Sequence, residues 1–287
     1  MGSALVRYLT ARKHEVVPLV RSRSKAGIYW NPESGEIELD KLNGFDAVVH
    51  LAGENIASGR WTPARKARLL SSRVKGTSLL SESIAKLLPP PQVLVSASAI
   101  GYYGDRGAEP LREDSAPGRG FLADCCRQWE AATEAAVQKR IRVVNLRIGV
   151  VLARHGGALG KMLLPFRLGL GGKVGSGDQY MSWISLEDLC SAILCAIQTD
   201  TLRGPVNAVA PEPVTNLEFT KTLGQVLSRP TIFPLPAFAA RLAFGEMADE
   251  LLLSGQKVEP AKLLGSGFEF KYRTLESTLR EILGNRR

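Results

Sequence analysis

The feature that most restricts the fold is a series of short apolar runs, several of them separated from the next by a helical stretch. The chain starts Met1-Gly2-Ser3-Ala4-Leu5-Val6-Arg7-Tyr8-Leu9 and keeps a helical pattern to Arg12, with Leu5, Val6 and Leu9 on one face. Glu15 to Val20 reads as a short buried strand ending in Arg21. Ile28-Tyr29-Trp30 reads as another, ahead of turn signals from Asn31 to Glu36. Ala47 to Leu51 is apolar apart from His50, as in a parallel strand covered on both faces. From Pro63 to Leu88 the spacing of Leu69, Leu70, Val74, Leu79, Leu80, Ile84 and Leu87 is helical. Thr62 is the expected N-cap, Pro63 takes the first helical position, and Pro89-Pro90-Pro91 stops the helix. A strand over Gln92–Ser96, a helix over Phe121–Gln138 and a strand within Arg142–Leu152 follow. This alternation predicts a doubly wound, parallel α/β sheet with right-handed crossovers.

The first strand of such a sheet is central, and the turn after it holds the ligand's phosphates. Here the chain opens on a helix, so the expectation is a sheet whose first strand is missing from the sequence, through a mis-assigned start or a truncation. Leaving that place empty would bury backbone groups without ladder partners, at about 1–3 kcal/mol for each one.

At 287 residues the chain suffices for one large domain or a core with a small lobe. Its 45% hydrophobic and 23% charged content is ordinary for a soluble protein. No apolar run approaches membrane-spanning length, and no secretory signal pattern is present at the start. Cys125, Cys126, Cys190 and Cys195 lack zinc spacing and suit free thiols in a reducing cytoplasm, so no metal is expected. The net charge is +9, part of it in Arg60, Arg65, Lys66, Arg68, Arg73 and Lys75. A solvated helix face accounts for that cluster, an anionic ligand accounts for part of it, and no nucleic-acid motif accompanies it. After Ala153 the composition changes. Glycines crowd Gly156 to Gly177 around Pro165, a mobile or tightly turning segment. Helices near Leu186–Gln198, Asn216–Leu227, Pro236–Phe244 and Thr274–Leu283 and a strand near Val206–Val209 follow. The division is therefore a core over residues 1–153 and a mixed segment over 154–287 that returns partly to the core and forms a substrate lobe.

Several residues at strand ends carry chemistry. Gly2 is a remnant of the glycine turn that lets backbone N–H groups face phosphate. Arg21 and Arg23 follow the strand at which an acidic residue would bind an NAD ribose; arginine there suits the 2′-phosphate of NADP, against the alternative of solvated loop arginines. His50-Leu51-Ala52-Gly53-Glu54 ends a strand where ligands bind in open α/β sheets, and Ala52 and Gly53 let a cofactor approach the backbone. His50 is equally read as a buried, satisfied histidine. Arg68 and Arg73 on the next helix reach either an anionic cofactor or solvent. In Ser96-Ala97-Ser98-Ala99-Ile100-Gly101-Tyr102-Tyr103-Gly104, a serine hydroxyl can hold a substrate oxygen and a tyrosine can relay a proton.

Leu51-Ala52-Gly53, Val74-Lys75-Gly76-Thr77, the Ser-x-Ser run ending in Tyr-Gly, Leu146-Arg147-Ile148-Gly149-Val150-Val151-Leu152 and Trp183-Ile184-Ser185-Leu186-Glu187-Asp188 resemble the extended short-chain dehydrogenase/reductase family. Ala52-Gly53-Glu54-Asn55-Ile56 with Arg60-Trp61, and Leu163 to Gly172 with Gly175-Ser176-Gly177, narrow the resemblance to its atypical epimerase subfamily, over almost the whole chain. The resemblance implies a Rossmann-type core, an NADP site and a C-terminal substrate lobe. Its adenosine-phosphate contacts fall on Val20 and Arg21, the loop beneath the cofactor on Leu51, Ala52 and Gly53, helix contacts on Arg68 and Arg73, and the nicotinamide side on Val151. Ser98 matches the family's catalytic serine. The Tyr-x-x-x-Lys pair, in which lysine prepares tyrosine for proton exchange, falls on Phe121 and Cys125, which cannot do that work. Tyr102 or Tyr103 is then the candidate acid/base.

Two readings follow. One is an NADP-binding epimerase or oxidoreductase-like protein acting on a small molecule whose identity the sequence does not give. The other is a non-catalytic NADP sensor or interaction protein. The sequence permits a homodimer, and nucleic-acid binding through the basic helix is the weakest reading.

Overall fold

The structure is a computed structural model that describes residues 1–154 and 156–284. In chain order, the first half contains α1 (Gly2–Thr10), β1 (Leu19–Val20), β2 (Ile28–Asn31), β3 (Glu36–Ile37), β4 (Ala47–His50), α2 (Pro63–Ile84), β5 (Val93–Ala99), β6 (Pro110–Leu111), α3 (Phe121–Ala131), α4 (Glu134–Gln138) and β7 (Arg142–Ile148). It continues through β8 (Val150–Leu152), α5 (Gly157–Arg167), β9 (Tyr180–Met181), β10 (Trp183–Ser185), α6 (Leu186–Gln198), β11 (Gly204–Ala208), β12 (Val214–Thr215) and α7 (Asn216–Leu227). The chain ends with α8 (Ala237–Phe244), α9 (Glu246–Leu251), β13 (Lys257–Val258), α10 (Ala261–Gly265) and α11 (Leu275–Leu283).

The main sheet is parallel, in the order β11-β7-β5-β4. Side chains alternate between its faces, so successive residues feed different helix layers. Leu94 and Val143 pack with Leu80 and Ile84 of α2 and Ala136 of α4. Val93, Val95, Val144 and Leu146 pack with Leu5 and Leu9 of α1 and with α6. Helices cover both faces, as expected for a Rossmann-type core. A second cluster joins Leu159, Leu163 and Phe166 of α5 to α7 and α11.

β1, β2 and β3 form a separate small sheet, and among the described residues no ladder joins β1 to β4. β1 is an edge strand of the small sheet and β4 an edge strand of the main one. Ala47, Val48 and Val49 are only half-buried there, whereas β5 is buried from Val93 to Ser98.

Four local expectations are corrected. The strand expected over Glu15–Val20 is only Leu19–Val20, because Pro18 has no N–H to donate and pairing is confined to the β2 side. The helix expected over Phe121–Gln138 breaks into α3 and α4. Ser81 Oγ inserts at the break, donating to Thr133 O (3.1 Å) and accepting from Ala136 N (2.9 Å). Arg142–Leu152 is two strands: at Gly149 a Cβ would lie 2.6 Å from Ser182 O, and the chain leaves β11 for β10. The glycine-rich stretch contains a helix, α5, because Leu159, Leu163 and Phe166 recur at helical spacing and are buried.

Candidate functional site

The carboxyl ends of β1, β4 and β5, together with α1, α2 and β8, carry the residues singled out by sequence. Arg21, just beyond β1, is exposed and has no ion pair among the described residues, whereas Arg23 pairs with Glu36 (3.4 Å) and Glu38 (3.8 Å) and lies over the Tyr29 ring. Val20 is half-buried in β1, paired with Tyr29 of β2. Gly2 is exposed at the start of α1, where Ala4 and Leu5 N–H groups already bond Met1 O.

After β4 the chain turns across the sheet edge with Leu51 half-buried and Ala52 and Gly53 exposed. Gly53 is held close to Arg73, whose Cζ would lie 3.5 Å from an added Cβ. Arg73 donates to Leu69 O (2.9 Å) and Glu54 O (3.1 Å) and stands over the Trp129 ring, so it braces this loop against α2. Arg65 also binds the Glu54 carboxylate and Asn55 O, and Ser72 Oγ accepts from Glu54 N. Arg68 lies 3.8 Å from Glu54 with most of its side chain in solvent. Lys66 pairs with Glu246 of α9 at 2.8 Å, and Arg60 donates to the terminal carbonyls of α8, Leu242 O and Ala243 O. The basic helix face is therefore largely committed to internal contacts. His50 is buried edge-on to Trp30; burial lowers its pKa to about 4, so the ring is neutral, and its Nε2 has no partner among the described residues.

At the end of β5 the side chains enter a buried network. Ser98 Oγ donates to Glu130 Oε1 (2.7 Å), and the same carboxylate takes both Arg147 Nε (2.8 Å) and Nη2 (3.0 Å). Arg147 Nη1 reaches Tyr103 Oη (3.0 Å) and Glu113 O (3.2 Å), and Tyr103 Oη donates to Asn207 Oδ1 (2.7 Å). Glu113 in turn accepts from Asn207 N and Lys262 N, both at 3.1 Å. Burial works against the Arg147 charge, but the forked Glu130 contact outweighs it and the pKa is raised. Burial also pushes the Tyr103 phenol up to about 12, so it stays a neutral donor.

Tyr102 and Tyr103 are adjacent in sequence but differently placed. Tyr103 is fully buried, while Tyr102 is half-buried, packs on the Arg147 guanidinium at 3.4 Å, and makes no hydroxyl hydrogen bond among the described residues. Phe121 packs edge-on against Trp61 at 5.3 Å. Burial raises the Cys125 thiol above its ordinary range, so neither position supplies a base or a cation. Val151 is half-buried in β8, which pairs with β10 rather than with the main sheet.

Sequence reasoning did not single out Glu130, Arg147, Glu113 or Asn207. The available signal was Arg147 itself, a charge inside Val143-Val144-Asn145-Leu146-Arg147-Ile148 that buried-strand packing does not tolerate without a partner.

Residues 1–208 match the NAD dependent epimerase/dehydratase family, and residues 235–282 match a domain of unknown function, DUF1731. The chain belongs to that epimerase family. An epimerase family protein of Mycobacterium bovis is 47% identical over 282 residues, covering 97% of this chain and 93% of its own length. The crystal structure of human epimerase family protein SDR39U1 (isoform 2) with NADPH superposes with a TM-score of 0.90 at 37% identity, covering 99% of this chain and 96% of the human one. A nucleoside-diphosphate sugar epimerase from Corynebacterium glutamicum has a TM-score of 0.82 at 36% identity; it covers all of this chain, which spans 56% of that protein. Among the described residues no helix is long and apolar enough to cross a membrane.

Proposed function

We propose that this epimerase-family chain binds NADP(H) along the carboxyl edge of its sheet and exchanges hydride with a small carbonyl or hydroxy compound. The observation that carries the cofactor choice is Arg21, exposed and without a counter-ion among the described residues, beside an Arg23 that already has carboxylate partners. A forked guanidinium there matches a 2′-phosphate. The NADPH named for the human relative supports the same choice.

The residues present fit such a cofactor. Exposed Ala52 and Gly53 leave the backbone open to it, with Leu51 beneath. Gly2 and the first turn of α1 lie on the pyrophosphate side, Val20 and Arg21 on the adenosine-phosphate side, Arg68 and Arg73 along the helix, and Val151 on the nicotinamide side. When bound, the cofactor supplies or accepts the hydride. The chain orients the substrate and handles the proton. Ser98, whose proton goes to Glu130, accepts from a substrate hydroxyl with its lone pairs, its orientation set by Glu130. Tyr102, with its hydroxyl uncommitted, takes the acid/base role, and Tyr103 braces Arg147 and Asn207. Four free cysteines suit a reducing cytoplasm.

Titrating NADPH and NADH against the full chain by calorimetry tests the cofactor reading. Preference for NADPH, lost in Arg21→Ala, is expected; equal binding of the two, or no binding, overturns it. Phe121 and Cys125 favour a second reading, an NADP-binding protein that performs no chemistry. NADPH binding without turnover across a broad carbonyl panel selects that one.

A further inference from the structure

Beside Tyr102 lies a cavity of about 290 Å³, bounded by the β5–α3 connection and the α9–β13 segment. Its lining includes Gly101, Gly104, Arg119, Leu122, Glu250 and Gln256. Residues 118–120, Gly-Arg-Gly, form a strap across one wall. Gly118 N donates to Tyr102 O at 2.9 Å, and a Cβ on Gly118 would fall 2.0 Å from Tyr103 O. A Cβ on Gly120 would fall 2.3 Å from Glu250 Oε1, and Gly120 has φ of +104°. The strap backbone is thus pressed between Tyr103 and Glu250, and the one side chain it carries is the Arg119 guanidinium.

The other charges lining this cavity already have partners. Arg241 pairs with Asp249 at 2.8 Å. Asp105 Oδ1 accepts from Gly255 N (3.0 Å) and Gly107 N (3.3 Å). Glu250 accepts from Phe121 N (3.1 Å) and Leu122 N (3.2 Å). The Arg119 guanidinium has no hydrogen bond or ion pair among the described residues. An entering oxyanion therefore meets a forked donor with no contact to give up. An entering cation meets carboxylates whose lone pairs already hold backbone N–H groups or a guanidinium. The volume lies at the low end for small-molecule sites.

We propose that Arg119 is a specificity-determining residue that binds an oxyanion of the substrate, so that the substrate is a small carbonyl or hydroxy compound bearing a carboxylate or phosphate group. This rests on the reading above, that substrate meets NADP(H) at this edge of the sheet. A guanidinium on a pinned strap next to Tyr102 fixes the far end of such a molecule while its oxygen faces the Tyr102 and Ser98 end of β5.

Calorimetric titration of the full chain, saturated with NADPH, with benzoate, phenyl phosphate and the neutral benzamide tests the proposal. At least one anion is expected to bind about tenfold or more tightly than benzamide, and the stronger of the two identifies carboxylate or phosphate as the preferred group. Arg119→Gln should abolish that preference while leaving the NADPH affinity and the unfolding temperature unchanged, and Arg119→Lys should restore part of it. Equal binding of anions and amide, no binding of any of them, or an anion preference that survives in Arg119→Gln overturns the proposal. Failure of NADPH itself to bind is seen in the first titration and counts against the cofactor reading instead.

Discussion

Arg21 and Arg147 sit at the carboxyl ends of two parallel strands of one protein, yet their surroundings are opposite. Arg21 is exposed and has no partner among the described residues; Arg147 has a nearly buried side chain whose donors go to Glu130, Tyr103 and Glu113. A charge left unpaired in water costs little and stays available for a ligand, whereas a charge out of water must be matched by its own fold. The edge proposed to hold the cofactor therefore offers open backbone at Ala52 and Gly53 and the exposed Arg21, whereas the β5–β7 edge is a satisfied network that includes Ser98 and packs Tyr102 on Arg147.

The sharpest way to break that contrast is Arg147→Met. It strands the Glu130 carboxylate, removes donors to Tyr103 and Glu113, and should cost about 3–5 kcal/mol in urea unfolding. A loss below about 1 kcal/mol would show that the network is not what holds this edge together. Arg21→Met should leave stability within about 0.5 kcal/mol.

His50 gives a test of comparable size on the same face of the sheet, at the end of β4. Its folded-state pKa is about 4 against an ordinary 6.5, because burial disfavours the charged ring. The neutral form is the folded one, so between pH 6.5 and about 4 the unfolded chain binds more protons than the folded chain. Stability should be fully present above pH 6.5 and fall on acidification through that window by roughly 3 kcal/mol. His50→Leu should flatten this part of the pH profile. An unchanged slope in the variant would assign the acid sensitivity to other groups.

Much of this contrast was legible in the sequence, but unevenly. The apolar runs and helical spacings place β4, α2 and α6 within a few residues, because local periodicity and the Thr62 and Ser185 caps decide them. Arg21, Ala52 and Gly53 were singled out because ligands bind beyond the carboxyl ends of strands in open α/β sheets. What escaped depends on distant partners. The α3–α4 break needs Ser81 from another helix, the β7–β8 break needs Ser182 O against Gly149, and Tyr102 and Tyr103 differ only through Arg147 and Asn207. No local pattern records such meetings.

The two tyrosines sharpen the comparison further. Tyr103→Phe removes a donor from buried Asn207 Oδ1 and an acceptor from Arg147, and should cost about 1–3 kcal/mol. Tyr102→Phe removes a hydroxyl without a partner among the described residues and should stay within about 0.5 kcal/mol on thermal unfolding. If the chain turns over a carbonyl substrate, the order reverses in kinetics: Tyr102→Phe should lower kcat by about 100-fold or more, as expected for loss of a general acid. Equal stability losses in the two variants would erase the distinction drawn between them.

The smallest effect on the fold, and the most selective effect on binding, belongs to Arg21. Arg21→Ala should weaken NADPH by about tenfold, the worth of one charge-assisted contact, while NADH affinity stays constant. Because the phosphate contact is exposed, the advantage of the wild type over Arg21→Ala should shrink as salt rises from about 0.05 to 0.5 M. Arg23→Ala provides the internal comparison. That side chain is already paired with Glu36 and Glu38 and stacked on Tyr29, so its removal should change NADPH affinity less than Arg21→Ala. The reverse ranking would mean that ion pairing does not keep Arg23 from the cofactor, and the division between free and committed charges would fail at the edge where it is most exposed to test.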